Sequence, residues 1–297
     1  MTSGNGTSTG GPGSEDLGVR LSRRALHAVR SSPAASLAVG PLAVAARDRG
    51  RGQPILVHQM GKVASTAVVE TLETVTDRPV YHLHFLSRAG IDFASNAYRS
   101  NWAEGGLPWH VFESVHVKRL LRRYPRWDVI TIVRDPVAKN ISGFFQIAKL
   151  QYRLDPATTT VEELQQHYLE TYDEHDRPLH WIDHELDGVF GTDVYAEPFP
   201  TDAGWQVIES ERANVAIIRY EDLAQAATPA IERLLGMNVG QLVKANNTAT
   251  KTYGANQAAL SESMVLPPAY LDMMYGSKYA THFYSPDEIA SMRARWT

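Results

Sequence analysis

The chain has no cysteine among its 297 residues. Disulfides, thiolate metal sites and cysteine nucleophiles are thereby excluded. Such a composition fits a reducing cytoplasm, the compartment expected here. Long apolar runs are also missing. The longest candidate, Ala34 to Ala46, is Ala-rich and broken by Ser36, Gly40 and Pro41. It falls short of the roughly 18–20 apolar residues that a bilayer span needs. It follows Arg20, Arg23, Arg24 and Arg30, so it imitates a secretion signal only loosely. An amphipathic arm lying on a membrane surface or a partner is the other reading of that stretch. An excess of positive charge is lacking too: 29 Lys and Arg stand against 33 Asp and Glu, a net −4. That argues against a globally basic nucleic-acid binder, and no nucleic-acid partner is expected. No spacing of His, Asp or Glu suggests a metal site, so none is expected.

What is present is enough apolar material, 43% of the chain, for one substantial core. Residues 1–16 are Gly, Ser and Thr with almost nothing to bury, and are expected to be disordered. Residues 17–53 form an Arg-rich amphipathic arm and linker, with helical spacing from Leu17 to Val29. From residue 54 to 297 the pattern is that of one α/β domain. Ile55-Leu56-Val57 and Asn214 to Arg219 are continuous apolar runs, as in strands buried on both faces. Asp128 to Val133 is a third. Pro79 to Phe85 and Trp109 to Phe112 alternate in part and read as further strands, the latter ahead of a basic helix from Val115 to Tyr124.

Helices follow most of these runs. Thr160 and Glu163 have the spacing of a capping box ahead of a helix to Tyr172. Trp181 to Phe190 reads as an apolar-aromatic helix, and another runs from Leu223 to Leu235. Asn246 to Gly254 is loop-like. Pro267 to Met274 and Pro286 to Trp296 read as C-terminal helices. Strands alternating with helices predict a mostly parallel central sheet with helices on both faces, a three-layer fold, and a helical C-terminal annex.

Two turns carry chemistry. The first is Gln59-Met60-Gly61-Lys62-Val63-Ala64-Ser65-Thr66, between a strand and a helix. That geometry turns backbone N–H groups and a helix N-terminus toward a phosphate, with a Lys charge and two hydroxyls beside them. It is not a Walker A loop: no Gly stands four residues before Gly61-Lys62, and Val63 follows the Lys. The second is Val133-Arg134-Asp135-Pro136, closing a strand, with Ser142 eight residues on in the next helix. An Arg at a strand end can grip a phosphate in two-pronged fashion, and the Ser could donate to the same group.

Together these turns resemble the cofactor sites of sulfotransferases that use 3′-phosphoadenosine-5′-phosphosulfate (PAPS). The resemblance implies a P-loop-like fold. It implies that Gly61, Lys62, Val63, Ala64, Ser65 and Thr66 hold the 5′-phosphosulfate. Arg134 and Ser142 would hold the 3′-phosphate, with Lys251 in the later polar loop as a further phosphate contact. More narrowly, Ile132 to Pro136, Asn140-Ile141-Ser142, Phe144-Phe145-Gln146, Phe190 to Tyr195, Ile218 to Leu223 and Lys278 to Ser285 resemble a bacterial sulfotransferase-like group. That group is labelled "putative capsular polysaccharide synthesis protein".

Sulfuryl transfer implies a hydroxyl-bearing acceptor, a glycan or a small molecule, and a general base. His suits that task, since its ordinary pKa lies near neutrality. In the family the base comes from the region between the two turns. His84, His110 and His116 are the ranked candidates, with Lys62 on the leaving-group side. His180 and His184 could line an acceptor pocket. Tyr220-Glu221-Asp222-Leu223 reads as structural, its carboxylates capping a helix or pairing with an Arg. Two other functions fit the same residues: a P-loop-type nucleotide kinase, and a non-catalytic polysaccharide-assembly protein that keeps the fold.

Overall fold

The computed structural model describes Leu42, Val44, Ala45 and residues 51–101, 109–172, 175–243 and 254–297. Most of the Arg-rich arm, the helix expected from Leu17 to Val29, and Lys251 lie outside the described residues. The chain runs β1 (Ile55–His58), α1 (Ser65–Val75), β2 (Val80–Leu83), α2 (Arg88–Asn101), α3 (Trp109–Leu120), β3 (Trp127–Val133), α4 (Pro136–Gln151) and α5 (Val161–Thr171). Next come α6 (Arg177–Ile182), a π-helical turn (Asp183–Asp187), α7 (Gly188–Phe190), β4 (Trp205–Glu209), β5 (Ala213–Arg219), a 3-10 turn (Tyr220–Asp222) and α8 (Leu223–Leu235). The chain closes with α9 (Gly254–Ser263), α10 (Pro268–Tyr275), α11 (Lys278–Phe283) and α12 (Pro286–Ala294).

The five strands form one sheet in the order β2-β1-β3-β5-β4. Every pairing is parallel except β4 with β5, which is antiparallel. β1, β3 and β5 read clearly in sequence because both of their faces are buried. Ile55, Val57, Ile130, Ile132, Ala216 and Ile218 face one core, which α1 and α8 cover with Val68, Leu72, Ala227 and Ile231. Leu56, Tyr81, Leu83, Val129, Val133 and Ile217 face the other, covered by Trp109 and Val117 of α3, Trp181 of α6 and Tyr279 of α11. The fold is thus α/β with helices on both faces.

A separate core joins the annex to α4 and α5. Phe144 and Phe145 of α4 and Tyr168 of α5 pack with Leu260 of α9, Leu271 and Tyr275 of α10, and Trp296. Arg219 ends β5 almost wholly buried, 3% exposed. It binds Asp222 at 2.5 Å and Glu288 at 2.9 Å, and donates to the carbonyls of Phe283 and Thr201. Glu288 also completes a capping box with Ser285 at the start of α12. One buried cation therefore pins the sheet to the annex.

Some expectations need correction. Trp109 to Phe112 is the first turn of α3 and not a strand. Trp109, Glu113 and Val117 fall on one helical face, and the Trp109 indole N–H donates to the buried Glu113 carboxylate at 2.8 Å. An alternating pattern over four residues could not show that i,i+4 pair. The antiparallel edge strand β4 and the helices α2, α9 and α11 were not foreseen. The capping box of α5 is present, with Thr160 and Glu163 in both of its roles.

Candidate functional site

The β1–α1 loop is held in an unusual backbone conformation. Gly61, Lys62 and Ala64 have φ of 77°, 62° and 58°. The left-handed region is uncommon for residues with a Cβ and costs each of them on the order of 1–3 kcal/mol. The neighbours over-determine it. The Gln59 N–H donates to the Leu83 carbonyl at 3.0 Å, fixing the end of β1. The Gly61 N–H donates to the Gln59 side-chain carbonyl in a short bond. The N-cap of α1 is Ala64, which has no capping side chain, so this helix opens on backbone donors alone. Successive backbone N–H groups in a turn of this kind can form a concave nest that suits an anion.

The second turn meets this loop. Arg134 Nη1 donates to the Lys62 carbonyl at 2.7 Å. The guanidinium lies over Tyr220, 4.3 Å from the ring centroid. This junction has a topological reason. From β1 the chain goes to β2 on one side and then to β3 on the other, so the sheet order reverses between β1 and β3. At such a reversal a crevice opens beyond the carboxyl ends of the strands. Lys62 follows β1 and Arg134 follows β3, so both stand at its mouth.

Three histidines line the β1–β2 side. His82 and His84 lie 5.3 Å apart by ring centroid, and His84 and His110 lie 4.9 Å apart. Their rings are tilted or edge-on to one another. Among the described residues, no three His, Asp or Glu side chains are arranged to hold a metal ion. His84 stands beside the loop: a methyl group added to Gly61 would lie 3.7 Å from its Cε1. Its Nδ1 is 3.1 Å from the Gln59 carbonyl, which can only accept. The Gln59 side-chain nitrogen, which can only donate, lies 3.3 Å from the same Nδ1, so Gln59 approaches this nitrogen with both an acceptor and a donor. The His84 pKa falls to about 4. Burial is the main cause, the Gln59 carbonyl opposes it, and the charges of His58 and Lys139 add to it. His110 is also driven well below 6.5, by burial and then by its two histidine neighbours.

The other candidates divide. Ser65 is buried, and its Oγ lies 2.8 Å from both the Gln59 side-chain nitrogen and His82 Nε2. Its hydroxyl thus faces the histidines, while Thr66 is exposed. His116 packs on Tyr81, 5.9 Å between centroids. Strand alternation puts Tyr81 on the opposite sheet face from His82, so His116 stands apart from the trio. Ser142 is buried, and among the described residues it makes no hydrogen bond to Arg134. It shares a face of α4 with Lys139, which is 3% exposed and bonds Asn140 Oδ1 at 3.3 Å. A buried lysine whose charge reaches His84 was missed in the sequence, although its i,i+3 relation to Ser142 could have shown it.

The Arg134-Asp135-Pro136 turn is gripped by the annex. The Arg134 N–H donates to the Tyr279 hydroxyl, which donates back to the Arg134 carbonyl, both at 2.9 Å. Asp135 caps α4 through the N–H groups of Val137 and Ala138. It also accepts from the Tyr275 hydroxyl at 3.1 Å, and Tyr275 accepts from the Trp296 indole at 3.0 Å. Glu221 accepts from the Asp135 N–H at 3.0 Å and from the Tyr284 hydroxyl at 3.0 Å. Burial first, and the Glu221 charge second among the raising causes, push the Asp135 pKa to about 6 against the helix N–H groups. Glu221 and Asp222 are structural, as their residues suggested: Asp222 pairs with Arg219, and Glu221 braces the turn.

Beside His84 lies a cavity of about 270 Å³, walled by Phe85, Phe93, Arg177, His180, Trp181 and His184. The Trp181 indole N–H donates to the His84 carbonyl at 2.9 Å, so cavity wall and histidine share a bond. Glu185, in the π-helical turn, closes the cavity from behind. It accepts from the Leu86 and Ser87 N–H groups and the Ser87 hydroxyl, and its Oε2 lies 3.3 Å from His58. π-turns of this kind recur at functional sites.

Residues 160–285 match a protein family described as "Putative capsular polysaccharide synthesis protein". The matched segment holds the cavity helix, Arg219, Glu221 and Tyr279. The Lys62 loop and Arg134 lie outside it, so the match is narrower than the resemblance read from about Ile55 onward. No curated protein and no solved structure matches the chain. Among the described residues, no helix is long and apolar enough to cross a membrane.

Proposed function

We propose that this chain binds PAPS at the crevice between β1 and β3 and moves its sulfuryl group to a hydroxyl of a sugar. The observation that carries this reading is the bond from Arg134 to the Lys62 carbonyl. It joins two anion-suited turns at the point where the sheet order reverses. One triphosphate on one loop would need no second cation on a neighbouring strand end, whereas a nucleotide with separate 3′ and 5′ anionic groups does. We read the fold accordingly as P-loop-like, without the Walker A pattern.

The donor supplies a sulfuryl group whose bond to the 5′-phosphate breaks as the acceptor oxygen takes it in line. The residues of this chain hold and neutralise. The nest at Gly61 to Ala64 and the start of α1 receive the 5′-phosphosulfate, with Lys62 and Thr66 beside them. Lys62 offsets charge building on the leaving phosphate, an electrostatic role filled by groups already in place. Arg134, with Ser142 on the adjoining helix, is assigned to the 3′-phosphate, and Lys251 remains part of the same assignment. His84 takes the acceptor proton at Nε2 in the tautomer in which Nδ1 donates to the Gln59 carbonyl. A multiply charged anion beside the ring raises the His84 pKa toward working pH, which makes it a better acceptor once the donor is bound. The family description supports a polysaccharide or its precursor as the acceptor.

The test is a binding comparison by calorimetry. Adenosine 3′,5′-bisphosphate is expected to bind more tightly than ATP, and Arg134→Ala to abolish that preference. Tighter binding of ATP would replace this reading with a kinase.

A further inference from the structure

Val133 pairs with Arg219 in the last rung of the ladder between β3 and β5, and Arg134 lies one residue past it. Buried N–H and C=O groups beyond a ladder must still find partners. One hydroxyl serves both groups of Arg134. Tyr279 accepts from its N–H and donates to its carbonyl, each at 2.9 Å. Tyr279 is wholly buried, and its ring packs edge-on against Phe283, 5.1 Å between centroids, so the phenol has little room to swing. Burial holds its pKa well above the ordinary 10, which keeps the proton that the second bond needs. The next N–H, that of Asp135, goes to Glu221 at 3.0 Å. Side chains of the annex and of the 3-10 turn therefore fix the chain beyond β3.

The guanidinium is held at two further points. Nη1 donates to the Lys62 carbonyl at 2.7 Å, and Cζ lies over the Tyr220 ring, 4.3 Å from its centroid. The Glu221 carboxylate is taken up by the Asp135 N–H and the Tyr284 hydroxyl. Among the described residues, no carboxylate pairs with Arg134, and its Nε and Nη2 make no hydrogen bond. Arg219, at the end of the adjacent strand, differs: it is spent on Asp222, Glu288 and two carbonyls. Arg134 keeps its Nε–Nη2 edge, and such an edge can hold two oxygens of one anion in parallel.

We infer that Tyr279 and Tyr220 are positioning residues for Arg134: they aim its Nε–Nη2 edge into the crevice, and the preference for a nucleotide bearing a 3′-phosphate depends on both. The inference rests on the two-phosphate reading given above. Tyr279 sets the backbone from which the side chain springs, and Tyr220 supports the face of the guanidinium.

The experiment compares adenosine 3′,5′-bisphosphate with adenosine 5′-monophosphate by calorimetry on the full chain. The two ligands differ only in the 3′-phosphate, so the ratio of their dissociation constants reads that contact and cancels any loss common to both. The wild type is expected to favour the bisphosphate. Tyr279→Phe removes one oxygen and is expected to cut the ratio roughly tenfold or more, the worth of a charge-assisted hydrogen bond. Tyr220 is half-buried, so its variants should fold, and they decide the matter alone if Tyr279→Phe does not. Tyr220→Leu is expected to cut the ratio about threefold, the scale of one cation–π contact, and Tyr220→Phe, which keeps the ring, to retain it. An unchanged ratio in Tyr279→Phe and Tyr220→Leu, even with both ligands weakened alike, would overturn the inference and leave the tyrosines as structural ties. Equal loss in Tyr220→Phe and Tyr220→Leu would overturn it too. A wild type that binds the bisphosphate no better than the monophosphate would overturn the two-phosphate reading, and this inference with it.

Discussion

Arg134 Nη1 donates to the carbonyl of Lys62 across 72 residues of chain, at 2.7 Å. The bond ties the end of β3 to a loop in which two side-chain-bearing residues are left-handed. Arg134 is a charged donor on a half-buried carbonyl, so its loss should relax the loop as well as remove a cation. Arg134→Ala is expected to lower stability by about 1.5–3 kcal/mol in urea unfolding, the range for hydrogen bonds to charged groups. It should also weaken bisphosphate binding at least a hundredfold. Stability lost with binding intact would make Arg134 a structural brace only.

As the proposed base, His84 should set an acid limb. The free protein holds its pKa at about 4, so the ring is neutral from pH 5 upward. kcat/KM reports the free enzyme and kcat the substrate complex. The acid limb of kcat/KM should therefore lie near pH 4, and that of kcat at higher pH, because the bound anion raises the pKa. His84→Gln should abolish both limbs along with most of the turnover, while His116→Gln should leave them in place. Limbs that coincide, or that follow His116, would move the base elsewhere.

Two buried groups make stability depend on pH with opposite signs. Folded His84 titrates near 4, below its ordinary 6.5, so the unfolded chain binds the extra proton between those values. Its contribution is complete above pH 6.5 and is lost as pH falls through 4. Folded Asp135 titrates near 6, above its ordinary 3.8. Its contribution is complete below pH 3.8 and is lost as pH rises through 6. Between pH 4 and 6, His84→Gln should make unfolding free energy rise less steeply with pH. Asp135→Asn should make it rise more steeply. Urea titrations at stepped pH check both, and a shared direction would contradict the assignment.

Gly90 lies in the first turns of α2, where alanine normally favours a helix by about 1 kcal/mol. Here an added Cβ would stand 2.5 Å from Glu185 Oε1 and 2.6 Å from Phe85 Cδ1. Glu185 is held by three donors and cannot swing away cheaply. Gly90→Ala should therefore destabilise by about 1–3 kcal/mol, as overpacking does, and should narrow the cavity. A stabilised variant would contradict the packing described.

The sequence showed the frame better than the bracing. Ile55-Leu56-Val57, Asp128 to Val133 and Asn214 to Arg219 were readable because central parallel strands bury both faces and leave unbroken apolar runs. The partly buried Trp205 to Glu209 offers no such run, and β4 escaped notice. The Gly61-Lys62 turn and Arg134 were legible because each sits where a strand gives way to a helix. What holds them was not. Gln59 looks like any polar residue after a strand, and Tyr275 and Tyr279 reach the Arg134-Asp135 turn from more than 130 residues away. The inward turn of Ser65 follows from His82 across a strand pair, which no local spacing encodes.

The most direct measurement is transfer of labelled sulfate from PAPS to a panel of glycans, with release of adenosine 3′,5′-bisphosphate counted in parallel. The account predicts labelled glycan and released bisphosphate in equal amounts, both lost in Lys62→Ala. Absence of both label transfer and bisphosphate binding in the wild-type protein would contradict it.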